Sequence, residues 1–240
     1  MSRPHQSPPG PITPWPLPEH VRSVILVGGT FDPVHTGHVL AAVRARAATL
    51  PASGLLFVPA AVSPFKVPGG AVAGHHRAAM LSLALTETPQ AAVWTDELDR
   101  ARPGEASYTI DSVRRAARVA PAGSTFRLLI GADQALRLHE WREARALAAL
   151  APPLILMRGQ VRSGAALSTA LRAASFWTDA EIVNLAGALV DVGDDLPQSS
   201  TEIRAAVARG GPGAVRDGWL HPGVATYIES HGLYKASGCG

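Results

Sequence analysis

From residue 23 to about residue 192, short apolar runs alternate with longer stretches whose apolar positions follow the period of a helix. The β-branched apolar run at residues 23–27 stops at two glycines and is typical of a buried strand. Residues 37–50 place Val39, Leu40 and Val43 on one face, as an amphipathic helix does. The pattern predicts strands over 23–27, 55–58, 91–95, 126–130, 154–157 and 188–192, and helices over 37–50, 75–85, 109–119, 143–150, 165–174, 201–209 and 221–231.

The order of these elements predicts the fold class. Strands that alternate with helices of about 10–15 residues indicate right-handed βαβ units and hence a parallel sheet. From residue 199 onward the pattern contains only helices. We therefore expect an α/β protein with a Rossmann-like parallel sheet, flanked by helices, and a small helical C-terminal annex. Ligands of such sheets bind beyond the carboxyl ends of the strands, so we look for a site in the loops after Val27, Val58 and Ile130.

The two ends of the chain differ in composition from the rest. Seven of the first eighteen residues are proline, so we predict that residues 1–21 form an extended, flexible leader outside the fold. Residues 22–235 are expected to form a single domain, with its helical C-terminal part at about 199–235. Residues 236–240 are expected to be a flexible tail.

Charge and cysteine usage limit the partners. The formal net charge is +3, and no run of five like charges occurs, which argues against a nucleic-acid partner. The most apolar stretch, residues 146–157, is too short to cross a bilayer and contains two adjacent prolines. Cys239 is the single cysteine, so an internal disulfide cannot form. These features favour a cytoplasmic protein without a membrane or nucleic-acid partner.

The segment from Gly28 to His38 reads Gly-Gly-Thr-Phe-Asp-Pro-Val-His-Thr-Gly-His and is the most informative part of the chain. Paired glycines after a strand allow backbone N–H groups to approach a phosphate closely. His35 and His38 are three residues apart at the start of a helix, so both rings can point into one cleft. The combination fits a nucleotide α-phosphate site. A simple turn, a helix cap or a metal site that includes Asp32 are the alternatives.

Other polar residues lie in later loops. Lys66 follows the second strand in a loop stiffened by proline, and Arg204 lies one turn inside a helix that begins with hydroxyl residues. Both cations suit a polyphosphate. Trp141 offers a flat face to an electron-poor ring. Read alone, these residues also fit a solvated lysine, a capped surface helix and a core tryptophan.

Taken together, these motifs resemble those of nucleotidylyltransferases with a His/Thr-x-Gly-His signature, and more closely those of bacterial nicotinate-nucleotide adenylyltransferases. The resemblance covers the chain from about residue 24 to 235 and includes Ser199-Ser-Thr-Glu-Ile-Arg204. It implies a Rossmann-like nucleotidyltransferase fold and adenylyl transfer from ATP to nicotinate mononucleotide, which gives deamido-NAD and pyrophosphate. It also implies Mg²⁺ bound through substrate phosphates, with no metal held by the protein itself.

The resemblance assigns roles by position. The catalytic residues would be His35, His38, Lys66 and Arg204; ATP phosphates would contact Gly28, Gly29, Thr30, Phe31, Ser199, Ser200 and Thr201; nicotinate mononucleotide would contact Tyr108, Thr109, Asp133 and Trp141. The chain departs from the family pattern at Phe65, where the family often has histidine, and at Gln198, where it has isoleucine.

Alternative functions stay open at this point. A sibling enzyme would use nicotinamide mononucleotide or phosphopantetheine as acceptor, and a silent relative would bind nucleotide without turnover. A class I aminoacyl-tRNA synthetase is disfavoured, because the chain contains no Lys-Met-Ser-Lys-Ser type loop. A homo-oligomer is possible.

Overall fold

The computed structural model describes residues 10–61, 71–102, 105–159, 161–193, 196 and 198–235. Its centre is a six-stranded sheet in the order β3-β2-β1-β4-β5-β6, and all neighbouring strands are parallel. The strands are β1 Ser23–Gly29, β2 Gly54–Pro59, β3 Ala91–Val93, β4 Thr125–Gly131, β5 Pro153–Leu156 and β6 Leu189–Val190. The parallel sheet confirms the predicted fold class.

Helices connect the strands and cover both faces of the sheet. They are α1 Thr36–Thr49, α2 Gly74–Ala84, α3 Asp96–Asp99, α4 Thr109–Val119, α5 Ala132–Leu136, α6 Ala144–Leu150, α7 Gly164–Ala173, α8 Asp179–Ala186, α9 Ser200–Gly210 and α10 Pro222–Ser230, with short 3₁₀ helices at Leu138–Glu140 and Pro212–Ala214. Each predicted helix and strand is present. The sequence pattern missed α3, α5, α8 and the 3₁₀ turns, most of which are too short to show a period.

Alternating strand residues form two hydrophobic layers, one on each face of the sheet. Val24 and Leu26 pack with residues of α4, α6, α7 and α8. Ile25 and Val27 pack with residues of α1, α2, α9 and α10. Because successive side chains of a strand point to opposite faces, a central strand buried on both sides must be apolar throughout. This explains why the β1 sequence is a continuous apolar run.

Residues 10–21 are part of the fold, which corrects the expectation that residues 1–21 lie outside it. Leu17 and Val21 are buried in the core, with exposures of 5% and 2%. The Trp15 ring packs edge-on against Trp94, with centroids 6.2 Å apart. The few apolar side chains of this segment find partners distant in sequence. Residues 1–9 and 236–240 lie outside the described residues.

Across the described ranges, the model contains no helix that is both long enough and apolar enough to cross a bilayer.

Candidate active site

A cavity of about 840 Å³ lies at the carboxyl end of the sheet. Its walls include residues after β1, Ala60 after β2, Gly131 at the end of β4 and Arg158 after β5. The chain runs outward from β1 to β3 on one side and from β4 to β6 on the other. The cavity therefore lies where the strand order reverses, the position at which ligands bind in open parallel sheets.

His35 and His38 stack on one another in this cavity. Their ring centroids are 3.6 Å apart and their planes differ by 25°. His35 caps α1, and its backbone N–H donates to Nδ1 of His38 over 3.3 Å. Because Nδ1 of His38 accepts this bond, the neutral ring carries its proton on Nε2. Nε2 of His38 is therefore a hydrogen-bond donor.

The His35 ring is only 7% exposed. Burial, with a smaller contribution from the positive charge of Arg158, lowers the pKa of His35 to about 4. Loss of water disfavours the charged form of an imidazole, and a nearby cation disfavours it further. His35 is therefore neutral at physiological pH in this structure.

The loop between β1 and α1 is held by side chains from distant elements. Buried Arg77 donates to the carbonyl oxygens of Thr30 (2.7 Å) and Ala60 (2.8 Å). Ser200 Oγ donates to the carbonyl oxygen of Pro33 over 3.0 Å. These hydrogen bonds from distant elements hold the backbone that positions the two histidines.

Gly29, the last residue of β1, is a position where a side chain would not fit. A Cβ atom there would lie 2.8 Å from Cζ of Phe31, closer than van der Waals contact allows. Phe31 itself has φ of 51°, a left-handed conformation that is uncommon for a bulky residue. Its ring is buried and packs against His38 and Phe57, so packing compensates for the unfavourable backbone.

Four polar and aromatic residues form a second wall of the cavity, contributed by elements other than the β1–α1 loop. Tyr108, Thr109, Asp133 and Trp141 all line it. Thr109 is the first residue of α4 and Asp133 lies in α5. The Arg142 guanidinium lies 4.5 Å from the centre of the Tyr108 ring. This wall combines flat aromatic surfaces with a permanent positive charge.

Comparison with known proteins identifies the family. The cytidylyltransferase-like family model matches residues 26–206. A probable nicotinate-nucleotide adenylyltransferase of Stenotrophomonas maltophilia is 36% identical, over 88% of this chain and 96% of that protein. Another, from Thermus thermophilus, is 36% identical over 88% and 98% of the two chains. This chain belongs to the nicotinate-nucleotide adenylyltransferase family.

Comparison with solved structures also supports the adenylyltransferase fold. The Plasmodium falciparum nicotinic acid mononucleotide adenylyltransferase complexed with NaAD superimposes with a TM-score of 0.63, at 19% identity over 89% of this chain and 97% of that one. The same protein complexed with APC gives a TM-score of 0.59 at 18% identity, over 89% and 97% of the two chains. At such low identity the likeness concerns the fold alone.

Most of the residues that the adenylyltransferase motifs predict line the cavity at the carboxyl end of the sheet. These are Gly28, Gly29, Thr30, Phe31, His35, His38, Tyr108, Thr109, Asp133, Trp141, Ser199 and Ser200. Thr201 and Arg204 lie outside its lining. Arg204 Nη1 instead donates to the Asp32 carbonyl oxygen over 2.6 Å, and Nη2 donates to Thr201 Oγ1 over 3.3 Å. Lys66 and Phe65 lie outside the described residues.

The cavity of this adenylyltransferase also contains charged residues that sequence reasoning missed. Arg137, Arg142, Arg158 and Arg162 line it. Arg158 lies two residues after β5, so the rule about carboxyl ends of strands could have found it. Arg137 and Arg142 flank the 3₁₀ helix after α5, and Arg162 lies just before α7, where a sequence offers no comparable signal.

Glu97 is a buried carboxyl group in the cavity wall. It is 6% exposed and accepts a hydrogen bond from Ser112 Oγ. Burial raises the pKa of Glu97, although the hydrogen bond from Ser112 opposes this. The sequence places Glu97 in a segment rich in charged residues, which resembles a solvated surface, so nothing local reveals its burial.

In the part of the chain that the structure describes, no group of three or more His, Cys, Asp or Glu side chains is arranged to hold a metal ion. Asp133 and Glu140 line the cavity, and both are exposed. Magnesium prefers oxygen ligands and retains several waters, so it commonly binds through one or two carboxylates together with substrate phosphates. The donor set therefore fits a cation that arrives with a triphosphate better than one held in a protein cage.

Proposed function

We propose that this chain transfers the adenylyl group of ATP to nicotinate mononucleotide, forming deamido-NAD and releasing pyrophosphate, a step of NAD biosynthesis. The observation that carries the proposal is the shared cavity. The stacked His35 and His38 form one wall, and Trp141, Tyr108 and Thr109 form the other. One wall suits a phosphate chain, and the other suits a flat, electron-poor ring.

The reaction requires no protein nucleophile. A 5′-phosphate oxygen of nicotinate mononucleotide attacks the α-phosphorus of ATP, and the bond from that phosphorus to the oxygen bridging to the β-phosphorus breaks. Pyrophosphate leaves with the bonding electrons. Catalysis of such a displacement comes from positioning the two substrates and from stabilising negative charge.

The histidine wall binds the ATP phosphates in this proposal. His38 donates from Nε2 to an α-phosphate oxygen, and His35 contributes its neutral ring. Backbone N–H groups of Gly28 to Phe31 orient phosphate oxygens, as glycine-rich turns beside a helix start do. Ser199 and Ser200, at the start of α9, add further donors, with Thr201 beside them.

Cations balance the charge of the departing pyrophosphate. Lys66 and Arg204 take this role for the β- and γ-phosphates, and Arg158, whose charge acts on His35, lies near enough to assist. Mg²⁺ bound to the triphosphate oxygens would supply further charge neutralisation. Asp133 and Glu140 are the exposed cavity carboxylates that would approach it or its waters.

The second wall selects the acceptor. Trp141 stacks on the pyridine ring, the backbone of Tyr108 and Thr109 binds its carboxylate, and Asp133 accepts a hydrogen bond from a ribose hydroxyl. Arg142 adds a positive charge beside Tyr108, which favours a carboxylate over an uncharged carboxamide.

An acceptor assay tests the proposal. The purified chain is incubated with ATP, Mg²⁺ and one acceptor at a time, and pyrophosphate release is followed. We expect release with nicotinate mononucleotide and much slower release with nicotinamide mononucleotide or phosphopantetheine. Faster turnover of another acceptor would reassign the enzyme within its superfamily. Binding of ATP without pyrophosphate release for any acceptor would indicate a nucleotide-binding sensor.

A further inference from the structure

Tyr234, near the C-terminal end of the chain, contacts the loop that carries the two histidines. Its hydroxyl donates to Oδ1 of Asp32 over 2.7 Å, across 202 positions of sequence. Tyr234 has φ of 60°, a left-handed conformation that is unfavourable for a residue with a side chain. The chain thus accepts a costly backbone conformation at the position where this hydroxyl meets Asp32.

The Asp32 carboxylate is buried and has few partners among the described residues. Its exposure is 6%, and besides Tyr234 it accepts the backbone N–H of Val72 over 3.2 Å. Arg204 Nη1 lies 3.9 Å from Oδ2 of Asp32. The positive charge of Arg77 also acts on Asp32 from α2. A buried carboxylate is costly unless such partners are present.

In this structure the Arg204 guanidinium is bound to Asp32. It bonds to the carbonyl oxygen of Asp32 and lies near its carboxylate, outside the cavity lining. The Arg204 side chain is 35% exposed, so its guanidinium can turn from Asp32 to the ATP phosphates that the proposed function assigns to it. Its departure removes one of the partners of a buried charge.

The Tyr234 hydroxyl stays protonated throughout the working pH range. Burial, together with the hydrogen bond to the Asp32 carboxylate, raises the pKa of Tyr234 far above its ordinary value. Tyr234 is thus a permanent donor to Asp32, whether or not Arg204 is present.

We propose that Tyr234 is a positioning residue for ATP binding, whose hydroxyl keeps the Asp32 carboxylate paired and so allows Arg204 to move from Asp32 to the phosphates. The inference rests on the proposed function for the destination of Arg204. Its test, however, measures binding and requires no turnover.

The test compares Tyr234→Phe with the wild type by calorimetric titration of ATP with Mg²⁺, and separately of nicotinate mononucleotide. Without the hydroxyl, release of Arg204 leaves the Asp32 carboxylate with the Val72 N–H and the charge of Arg77. Because the Tyr234–Asp32 bond is already present without ATP, its loss changes the Kd only by the extra strength that the bond gains once Arg204 has left. One hydrogen bond to a charged group is worth about 10–100-fold in full, so we expect the Kd for ATP to rise by part of this, about 3–10-fold. The Kd for the acceptor should change less than about twofold.

Tyr227→Phe is the matched control. The Tyr227 hydroxyl bonds to Nδ1 of His76 over 3.0 Å, on the same C-terminal segment and away from Asp32. This variant should bind ATP within about twofold of the wild type. A general loosening of the C-terminal segment would weaken both variants alike, and that result would overturn the proposal.

A double-mutant cycle tests whether Tyr234 acts through Asp32. On an Asp32→Asn background no buried charge needs the hydroxyl, so Tyr234→Phe should change the Kd for ATP by less than about twofold. An undiminished effect on that background, or equal weakening of ATP and acceptor by Tyr234→Phe alone, would refute the role. Lack of pyrophosphate release by the wild type would refute the proposed function, while the ATP titrations would still decide the role of Tyr234.

Discussion

The imidazole rings of His35 and His38 are stacked 3.6 Å apart, and the backbone N–H of His35 donates to Nδ1 of His38. The two rings therefore hold each other in place. His38 keeps Nε2 as its donor, and His35 stays neutral beneath it. A change at either position removes one ring and also the support of the other.

His38→Ala should lower kcat by about 10²–10⁴-fold, because it removes a positioned donor to the charge that develops during transfer. Stability should fall only modestly, since the ring is partly exposed. Steady-state pyrophosphate release at saturating ATP and acceptor measures the effect. His20→Ala, at an exposed position away from the cavity, should stay within about twofold of the wild type. A His38 variant within about threefold of the wild type would contradict the role.

His35 should make the folded protein less stable in mild acid. The pKa of His35 is about 4 in the folded chain, against the ordinary value of 6.5, which applies to the unfolded chain. Between these values the unfolded chain binds more protons than the folded one, so the free energy of unfolding rises with pH. This stabilisation is complete above pH 6.5 and is lost as pH falls towards 4.

Urea unfolding of the wild type and His35→Gln at about pH 7 and about pH 4.5 measures this contribution. The wild type should lose about 2–3 kcal/mol more than the variant between the two values, given 1.36 kcal/mol per pKa unit. Other titrating groups act equally in both proteins and cancel in the difference. Parallel losses would show that His35 is not held neutral by the fold.

The elements that the sequence predicted well are those whose signal is local. Helix α4 begins at Thr109 and ends at Val119, the predicted bounds, because its polar and apolar positions separate cleanly. Helix α8 was missed although Thr178 and Glu181 form a capping box at its start, a signal readable from sequence. The strands β3 and β6 are shorter than predicted, since the predicted ends include residues that lie beyond the paired positions.

The site was predictable to the extent that its residues lie in contiguous motifs. The loop from Gly28 to His38 supplies six of the expected contacts, so one motif located the cavity. Glu97 was missed because its burial depends on the tertiary fold, whereas Arg158, two residues after β5, could have been found from its place at the carboxyl end of a strand. The contact between Tyr234 and Asp32 spans almost the whole chain, and no pattern along the sequence connects two such residues.

Trp141→Ala should weaken binding of nicotinate mononucleotide more than binding of ATP. Stacking of an aromatic side chain on a base is worth about 1–3 kcal/mol, so the apparent constant for the acceptor should rise about 5–100-fold. The constant for ATP should change less than about threefold. Trp141→Phe, which keeps a flat ring, should recover most of the loss. Equal effects on both substrates would remove Trp141 from the ring pocket.

Arg142→Gln should reduce the preference for nicotinate over nicotinamide mononucleotide. The Arg142 guanidinium lines the cavity beside Tyr108, and its charge favours a carboxylate. We expect the ratio of the two kcat/KM values to fall about tenfold, or about 1.4 kcal/mol. Arg145→Gln is a matched control, because its guanidinium lies 4.4 Å from the Phe176 ring, outside the cavity. An unchanged ratio in Arg142→Gln would exclude this residue as a determinant of specificity.

The buried ion pair between Asp96 in α3 and Arg115 in α4 should contribute strongly to the free energy of unfolding. Arg115 Nε and Nη2 donate to both carboxylate oxygens, over 2.6 and 2.8 Å, and both side chains are 1% exposed. Nη2 also donates to the carbonyl oxygen of Pro11. Arg115→Met leaves the buried Asp96 with two weaker partners, Arg100 Nε at 3.4 Å and the Thr13 N–H at 3.1 Å. Removing one partner of a buried ion pair costs about 3–5 kcal/mol.

Urea unfolding of Arg115→Met should therefore show a loss of that size in the free energy of unfolding. Arg172→Met is the control, because the Arg172–Asp179 pair is exposed (57% and 88%) and should contribute less than about 1 kcal/mol. Removing the second charge as well, in Asp96→Leu with Arg115→Met, should recover part of the loss, since apolar pairs can replace buried ion pairs. If the loss of unfolding free energy in the double variant instead equals the sum of the losses in the two single variants, the destabilisation comes from lost packing rather than from an unpaired charge.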